Sequence, residues 1–199
     1  GKRIDNLMRY WVSLQSAVMP SQTQLLEATK QINADKDKVP AVKLGNRWLR
    51  RFQQRLFLTP DFADVSQWRE FITLPEADEK IELVLPDDLG QLTITRSQGN
   101  MDSNNRLPVV FKQRLGFSVP SNAGTVEIAF VHANPECLPD YRQHSRKLKK
   151  VLQEMHIPVW QRQRLPFVYW QGELIAVAGY FVCQPYLPHC HETKLSIDW

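Results

Sequence analysis

Hydrophobic residues recur every three or four positions over residues 4–18, which is the spacing of an amphipathic helix. A second helix is predicted after it, because Ser21 and Gln24 form the pair typical of a capping box and apolar residues follow at helical spacing. In residues 41–57 the apolar positions are interrupted by Asn46-Arg47, which indicates a short β-hairpin. The chain is therefore predicted to begin with two helices and a hairpin.

The rest of the chain has the pattern of several strands and one basic helix. Apolar runs typical of strands occur in KIELVLP, QLTITRS, GFSVP, TVEIAFV, PFVYW and ELIAVAGYFV. Gln171-Gly172 separates the last two runs, which predicts a closing hairpin. Residues 145–156 predict a helix with Ser145 as its N-cap, and Pro158 ends it.

These elements divide the chain into two predicted modules of an α+β protein. Residues 59–79 are acidic and contain two prolines, which predicts a connector, and the polar residues 97–107 predict a loop. Residues 1–77 are predicted to form a helical module with a short β-hairpin. Residues 78–199 are predicted to form a small α+β module with a mostly antiparallel sheet and one basic helix.

The formal net charge of +4 is unevenly distributed along the chain. From Arg142 to Arg164 there are seven Lys or Arg residues and one acid, Glu154, while residues 43–55 hold five Lys or Arg and no acid. Residues 61–89 hold nine acids against two basic residues. Two concentrated basic patches favour contact with a polyanion, although ordinary solvated faces give the same counts.

The sequence lacks the common catalytic and cofactor signatures. It has no GxGxxG or Walker phosphate loop, no GxSxG and no CxxC, and His189-Cys190-His191 lacks the distant second pair of a structural zinc site. Its apolar runs are shorter than the roughly 18 residues that span a bilayer, and its three cysteines fit a reducing cytoplasm. We therefore expect a cytoplasmic binding protein with no catalytic residue, metal or cofactor of its own and no membrane partner.

Basic residues of both patches are the candidate contacts to nucleic-acid phosphates. They are Arg50, Arg51, Arg55, Arg142, Arg146, Lys147, Lys149, Lys150, Arg162 and Arg164. Cations at the start of the predicted helix are unfavourable at the positive end of its dipole, which favours an anion bound among them and its backbone N–H groups.

The first patch leaves two readings open. Alternation along one extended strand would place Arg51 and Arg55 on one face and Arg50 on the other, available to an RNA. Pairing of these arginines with the acidic residues 61–79 is the alternative. In the second patch, Trp160 is interpreted as a core residue in preference to a base-stacking platform.

The ordered motifs resemble the C-terminal part of bacterial tRNA(Ile)-lysidine synthetases. Leu148-Lys149-Lys150 matches the family's basic helix, Pro158-Val159-Trp160-Gln161-Arg162 matches its Pro-x-Trp-x-Arg segment, and Pro166 and Gly179 match its last strands. LMRYWVSLQ and LRRFQQRLFL resemble the family's middle, substrate-recognition domain in the same order. The resemblance covers nearly the whole chain.

The resemblance implies a role in tRNA modification. These enzymes use ATP to adenylate C2 of the wobble cytidine in an isoleucine tRNA with a CAU anticodon, and lysine then displaces AMP. That chemistry belongs to an N-terminal domain with an SGGxDS loop, which this sequence does not contain. The resemblance thus implies the tRNA-binding part of the enzyme, inactive alone, with tRNA(Ile) as its partner and with ATP and Mg²⁺ held by the catalytic domain.

One stretch departs from the family pattern. Many relatives carry an Arg followed shortly by Gly-Gly-Glu ahead of the basic helix, and here the matching stretch is His132-Ala133-Asn134-Pro135-Glu136. Pro135 removes a backbone donor, which weakens the case for an anion site at this turn. A stand-alone RNA-binding protein and a protein-interaction module that docks an acidic partner remain alternatives, and a homodimer is one oligomeric state left open.

Overall fold

The structure of the chain, a computed structural model, describes residues 2–15, 19–34, 40–76, 79–97, 115–119, 124–188 and 194–199. It contains two compact units, Gly1–Ala63 and Asp64–Trp199. We predicted modules of 1–77 and 78–199, but the strand at residues 69–73 pairs within the second unit. No helix in the described part of the chain is long and apolar enough to cross a membrane.

The first unit consists of two helices and a three-stranded antiparallel sheet. Its elements are α1 (Lys2–Leu14), α2 (Gln22–Ala34), β1 (Ala41–Leu44), β2 (Arg47–Phe52) and β3 (Arg55–Pro60), with strand order β1-β2-β3. The predicted capping box of α2 is confirmed, because the Gln24 N–H donates to Ser21 Oγ at 3.2 Å and the Ser21 N–H donates to Gln24 Oε1 at 2.9 Å. The core of the unit lies between α1, α2 and one face of the sheet, and its buried side chains are Met8, Leu25, Ala28, Ile32, Leu44 and Leu49.

The sheet of this unit is larger than the predicted hairpin. The predicted turn at Asn46 is present, between β1 and β2. A second tight turn follows at Gln53 and Gln54, both with left-handed backbone (φ 46° and 62°), and it adds β3. Gln rarely occupies such turns, so the sequence gives little signal for it. The unit is therefore α+β and not a helical module with a hairpin.

The second unit is built from antiparallel strands and short helices. Its elements are β4 (Arg69–Thr73), β5 (Lys80–Val84), β6 (Gln91–Ser97), β7 (Leu115–Phe117), β8 (Thr125–Ala129), β9 (Glu136–Cys137), β10 (Arg146–Lys147), α3 (Leu148–Glu154), α4 (Val159–Arg162), β11 (Phe167–Trp170), β12 (Glu173–Val177), β13 (Phe181–Val182), a 3₁₀ turn (Gln184–Tyr186) and β14 (Lys194–Asp198). The strands form a five-stranded sheet β13-β12-β11-β8-β4, a four-stranded sheet β5-β6-β14-β7 and a ribbon β9-β10, and all pairs are antiparallel. The predicted α+β class with mostly antiparallel sheets is confirmed.

A single apolar core holds the second unit together. The apolar face of α3 is fully buried in it, together with the predicted closing hairpin β11–β12, whose Gln171 and Gly172 turn residues have φ of 49° and 80°. Trp160 is only 6% exposed, which confirms the prediction that its side chain is buried. The sheets and α3 therefore share one packed core, which fixes the positions of the surface residues on these elements.

Three sequence predictions in this unit need correction. The acidic connector at 59–79 contains β4, whose Ile72 is buried although its other side chains are exposed. The basic helix begins at Leu148, since residues 146 and 147 form β10, and Ser145 is not its N-cap. The predicted loop at 97–107 lies outside the described residues apart from Ser97, as does His189-Cys190-His191.

Candidate nucleic-acid interface

The outward face of the β1–β3 sheet combines cations with aromatic rings. Leu49 is fully buried against the helices, so its strand neighbours Trp48 and Arg50 point to the opposite face. Cross-strand partners share a face, and the register pairs Arg50 with Phe57 and Phe52 with Arg55. The outward face therefore carries Arg50 and Arg55 among three aromatic side chains.

This register corrects the predicted placement of the arginines. Arg50 and Arg55 share the outward face, whereas Arg51, two residues after Leu49, is on the core-facing side of the sheet. The prediction treated residues 47–57 as one extended strand, but the turn at Gln53-Gln54 changes the alternation between Arg51 and Arg55. Arg51 is half-buried and is the weakest of the three candidates for contact with a large ligand.

Trp48 anchors the cations of this face. The Lys43 ammonium lies 5.7 Å and the Arg50 guanidinium 5.5 Å from the centre of its ring, within the range of cation–π attraction. Asp61 accepts hydrogen bonds from Trp48 Nε1 at 3.0 Å and from Lys43 Nζ at 3.3 Å, and these two donors hold the pKa of Asp61 below its usual value. Arg50 donates from Nε to Thr59 Oγ1 at 3.0 Å. The acidic stretch thus contacts this patch through Asp61 and Lys43.

A second cationic surface lies on β10 and α3. Lys149 and Lys150 are exposed on α3, whose other side buries Leu148, Val151 and Leu152, and Lys147 is exposed on β10. Among the residues that the structure describes, none of these three lysines forms an ion pair. Their charges therefore remain available to a polyanion in solution.

The predicted backbone anion site at the start of the basic helix is not supported. α3 is only seven residues long, and its first two N–H groups already have protein acceptors. Leu148 N–H donates to Pro135 O at 2.9 Å, and Lys149 N–H donates to Asn134 Oδ1 at 2.8 Å. A phosphate here would contact the lysine side chains, not the backbone N–H groups of the first turn.

The turn at His132–Glu136 caps α3. Asn134 has a left-handed backbone (φ 56°), and its own N–H donates to His132 Nδ1 at 3.0 Å. The His132 ring packs edge-on to Phe167, and burial, with a smaller contribution from the charge of Lys149, lowers the pKa of His132. A neutral His132 imidazole whose Nδ1 accepts a hydrogen bond is compatible with the bond from Asn134, with the packing on Phe167 and with the nearby charge of Lys149. The sequence departure from the relatives therefore has a structural role here.

Arg142 and Arg146 share the one acidic residue of the second patch. Arg142 Nη1 contacts Glu154 Oε2, and Arg146 Nη1 lies 2.8 Å from Glu154 Oε1. Arg142 is the more buried of the two. Arg146 remains about half exposed, whereas Arg142 chiefly fixes the end of α3.

Arg164 and Arg162 are held by contacts within the protein, so they are weaker candidates for phosphate contact than the exposed lysines. Arg164 is only 8% exposed, and its guanidinium bonds Asp87 Oδ2 at 2.6 Å and Asp87 O at 2.9 Å. Arg162 donates from Nε to Ile157 O at 2.6 Å, and burial lowers its pKa. Counting charges along the sequence could not separate these arginines from the exposed lysines. The partner of Arg164, Asp87, is distant in sequence, and the partner of Arg162 is a main-chain oxygen, that of Ile157.

Sequence reasoning also missed the grouping of Lys43 with Trp48 in the first basic patch. Lys43 was part of the first basic stretch, but only its pairing opposite Trp48 brings it to the ring. Aromatic residues that alternate with basic residues along a strand are a usable signal, since side chains two positions apart share a face.

Comparison with known proteins identifies two domains. The family model for the TilS substrate binding domain matches residues 2–57, and the model for the TilS substrate C-terminal domain matches residues 126–199. A solved structure described as the crystal structure of TILS C-terminal domain is 16% identical, covers 65% of this chain and 95% of that chain, and has a TM-score of 0.45.

Several curated relatives align along most of the chain. The tRNA(Ile)-lysidine synthase of Vibrio parahaemolyticus is 36% identical over 90% of this chain, that of Vibrio vulnificus 35% over 91%, and that of Photobacterium profundum 33% over 97%. The chain spans 37–39% of the length of these relatives. With two domain models of one family matched in order and these relatives aligned along nearly its whole length, the chain belongs to the tRNA(Ile)-lysidine synthase family.

Proposed function

We propose that this chain is a tRNA-binding part of a tRNA(Ile)-lysidine synthase and that its two cationic surfaces contact the tRNA backbone. The observation that carries the proposal is the cluster of exposed lysines Lys147, Lys149 and Lys150, which have no acidic partner among the described residues. Lysines are point charges suited to phosphate, and such contacts give affinity and orientation with little sequence information.

The sheet surface around Trp48 supports the same role. Arg50 and Arg55 extend over aromatic side chains, a combination common in RNA-binding surfaces because cations meet phosphates while rings pack on sugars and bases. Arg146 extends the second surface beside Lys147. The interface of this proposal therefore comprises Arg50, Arg55, Arg146, Lys147, Lys149 and Lys150, with Lys43 and Trp48 as supporting residues.

The whole enzyme would ligate lysine to the wobble cytidine of the CAU-anticodon tRNA(Ile) in an ATP-dependent reaction in the cytoplasm. Because the sequence contains no SGGxDS loop, no residue of this chain is assigned to ATP or Mg²⁺. Its contribution is recognition of the tRNA body and acceptor stem, and the chain alone should not form lysidine.

The salt dependence of tRNA binding tests the proposal. Each neutralised phosphate contributes about 0.7–0.9 to the slope of log K against log salt, so the double variant Lys149→Ala/Lys150→Ala should lower that slope by about 1.4–1.8. Alanine retains the residue-149 N–H and thus its bond to Asn134, so the thermal midpoint should remain near that of the parent chain.

Lys80→Ala provides the matched control. Lys80 is an exposed lysine on β5, outside both surfaces, and pairs with Glu82 at 2.6 Å. Removal of the Lys80 side chain should leave the salt slope unchanged, because this residue is not part of the proposed interface. It should also change the stability little, because surface ion pairs contribute little to the free energy of unfolding. An unchanged slope in the double variant, or tRNA affinity that does not depend on salt in the parent chain, would contradict the proposal.

A further inference from the structure

A groove of about 320 Å³ lies on the face of the five-stranded sheet that points away from the core of this unit. It crosses strands β4, β8 and β11 and ends at the β11–β12 turn. Its lining side chains are Phe71, Thr125, Glu127, Tyr169, Gln171 and Gly172. The groove thus combines two aromatic rings with carboxylate, amide and hydroxyl groups.

The sheet register aligns the aromatic rings on either side of the carboxylate. Phe71 pairs with Glu127 across β4–β8, and Glu127 pairs with Tyr169 across β8–β11, so the three side chains form one row. Strands are about 4.8 Å apart, which separates the backbones of Phe71 and Tyr169 by roughly 10 Å. The opposite face of the same strands buries Ile72 and Ile128 in the core, which fixes the row in place.

Packing in the core does not account for the aromatic residue at position 71. Its side chain is 65% exposed on a strand whose neighbour Ile72 is buried. Tyr169, in contrast, is anchored, because its hydroxyl donates to Val131 O at 3.2 Å, and burial raises its pKa to about 12. The groove therefore presents one exposed ring and one fixed ring, with Glu127 between them.

Glu127 is positioned to accept hydrogen bonds from a ligand. Its Oε1 lies 3.0 Å from Arg69 Nη1, and the side chain is only 19% exposed. In the described part of the chain, no hydrogen bond reaches its second oxygen, Oε2. A cationic ligand is disfavoured, since Arg69 already neutralises the carboxylate, and a purely apolar ligand would leave a shielded acceptor unpaired.

We infer that this groove binds an unpaired nucleobase that carries an amino group, with the base stacked on Phe71 and its amino group donating to Glu127. Recognition of unpaired RNA bases characteristically joins aromatic stacking with hydrogen bonds to the base edge. The inference rests on the proposed function, because it assigns the groove to an unpaired nucleotide of the bound RNA.

Truncation of Phe71 tests the stacking contact. Phe71→Ala in the 199-residue chain should weaken tRNA binding by about 5- to 150-fold, the range of one base stack, with the salt slope unchanged because no phosphate is involved. Phe71→Tyr should retain affinity within about twofold, since it keeps the ring. Val84→Ala is the matched control, because Val84 is 77% exposed on β5, outside the groove, and its truncation should have no effect.

The carboxylate is tested with short oligonucleotides of cytidine and of uridine. Cytosine has an amino group where uracil has a carbonyl oxygen, so the parent chain should bind oligo(C) at least about fivefold more tightly than oligo(U). Glu127→Gln should bring that ratio toward one, because an amide can also donate to the uracil oxygen, while tRNA binding retains its salt slope.

The outcomes separate this inference from the proposed function. If the parent binds tRNA with the expected salt slope and Phe71→Ala binds equally well, the groove is not a base site, although the proposed function stands. Equal affinity of the parent for oligo(C) and oligo(U) would overturn the role of Glu127. If the parent binds neither tRNA nor the oligonucleotides, the proposed function fails and the inference fails with it.

Discussion

Arg164 and Lys150 show how burial decides the role of a charge. Both belong to the same basic segment, yet Arg164 is buried with two hydrogen bonds to Asp87, whereas Lys150 is exposed without an acidic partner among the described residues. A guanidinium offers a fork of donors that can bridge a carboxylate and a main-chain oxygen together. An ammonium on a solvated helix face keeps its charge for a partner. Substitution of Arg164 should therefore lower stability and leave tRNA affinity unchanged, whereas substitution of Lys150 should lower tRNA affinity and leave stability unchanged.

Arg164→Lys is expected to lower the free energy of unfolding by about 1–3 kcal/mol, because Lys cannot serve both oxygens of Asp87 and leaves a buried acceptor less satisfied. The affinity for tRNA, measured under conditions where both proteins are folded, should stay unchanged. Urea denaturation and binding isotherms of the same preparation separate the two effects. A large loss of affinity with no loss of stability would return Arg164 to the binding surface.

At the level of elements, α3 depends on a capping turn that is distant in sequence. Its N-cap residue, Lys147, makes no side-chain capping bond, and Asn134 supplies an acceptor to the N–H of Lys149. His132 in turn accepts from the Asn134 N–H and packs on Phe167, which belongs to the central sheet. The lysines of α3 are thus held by a turn fixed to the core.

Replacement of Asn134 separates its capping bond from its backbone conformation. Asn134→Gly should cost about 0.5–2 kcal/mol of unfolding free energy, because glycine keeps the left-handed φ but loses the bond to Lys149 N–H. Asn134→Ala should cost about 1–2 kcal/mol more, since alanine is strained at φ 56°. Denaturant unfolding measures both variants. A glycine variant as destabilised as the alanine variant would show that the left-handed conformation contributes little.

Periodicity predicted the elements that depend on local sequence. The capping box at Ser21, the closing hairpin around Gln171-Gly172 and the burial of Trp160 were predicted correctly, because each has a signal within a few residues. The turn at Gln53-Gln54 and the cap from Asn134 were not, since one uses residues atypical of its turn and the other depends on a contact across the fold. The register of β2 and β3 follows from that missed turn.

In the candidate site, too, features with a local sequence signal were predictable, and features that depend on distant contacts were not. Charge counting located both basic stretches, and some of the residues in them, such as Lys149 and Arg55, are exposed in the structure. It could not show that Arg164 bonds Asp87, which is distant in sequence, or that Lys43 lies beside Trp48. The role of a basic residue is set by its tertiary partners, and the groove around Phe71 appears only when three strands are brought together.

At the scale of the whole molecule, cationic surfaces occur in both compact units. Arg55 lies on the outward sheet face of the first unit, and Lys149 and Lys150 lie on α3 of the second. Each unit has its own buried core, so a surface substitution in one should leave the other's core intact. Since both units belong to a chain of a tRNA-acting family, their charges can be tested for contact with the same RNA molecule.

The additivity of salt slopes tests whether both units contact the same tRNA. Arg55→Ala alone should lower the slope of log K against log salt by about 0.7–0.9, and the triple variant with Lys149→Ala and Lys150→Ala should lower it by about 2.1–2.7, because each phosphate contact releases its own counterions. Anisotropy titrations at several salt concentrations, with the binding stoichiometry determined at saturation, provide the slopes. A triple variant whose slope equals that of the Lys149→Ala/Lys150→Ala variant would restrict the interface to the second unit. A stoichiometry of two tRNAs per chain would show that the units bind separate molecules.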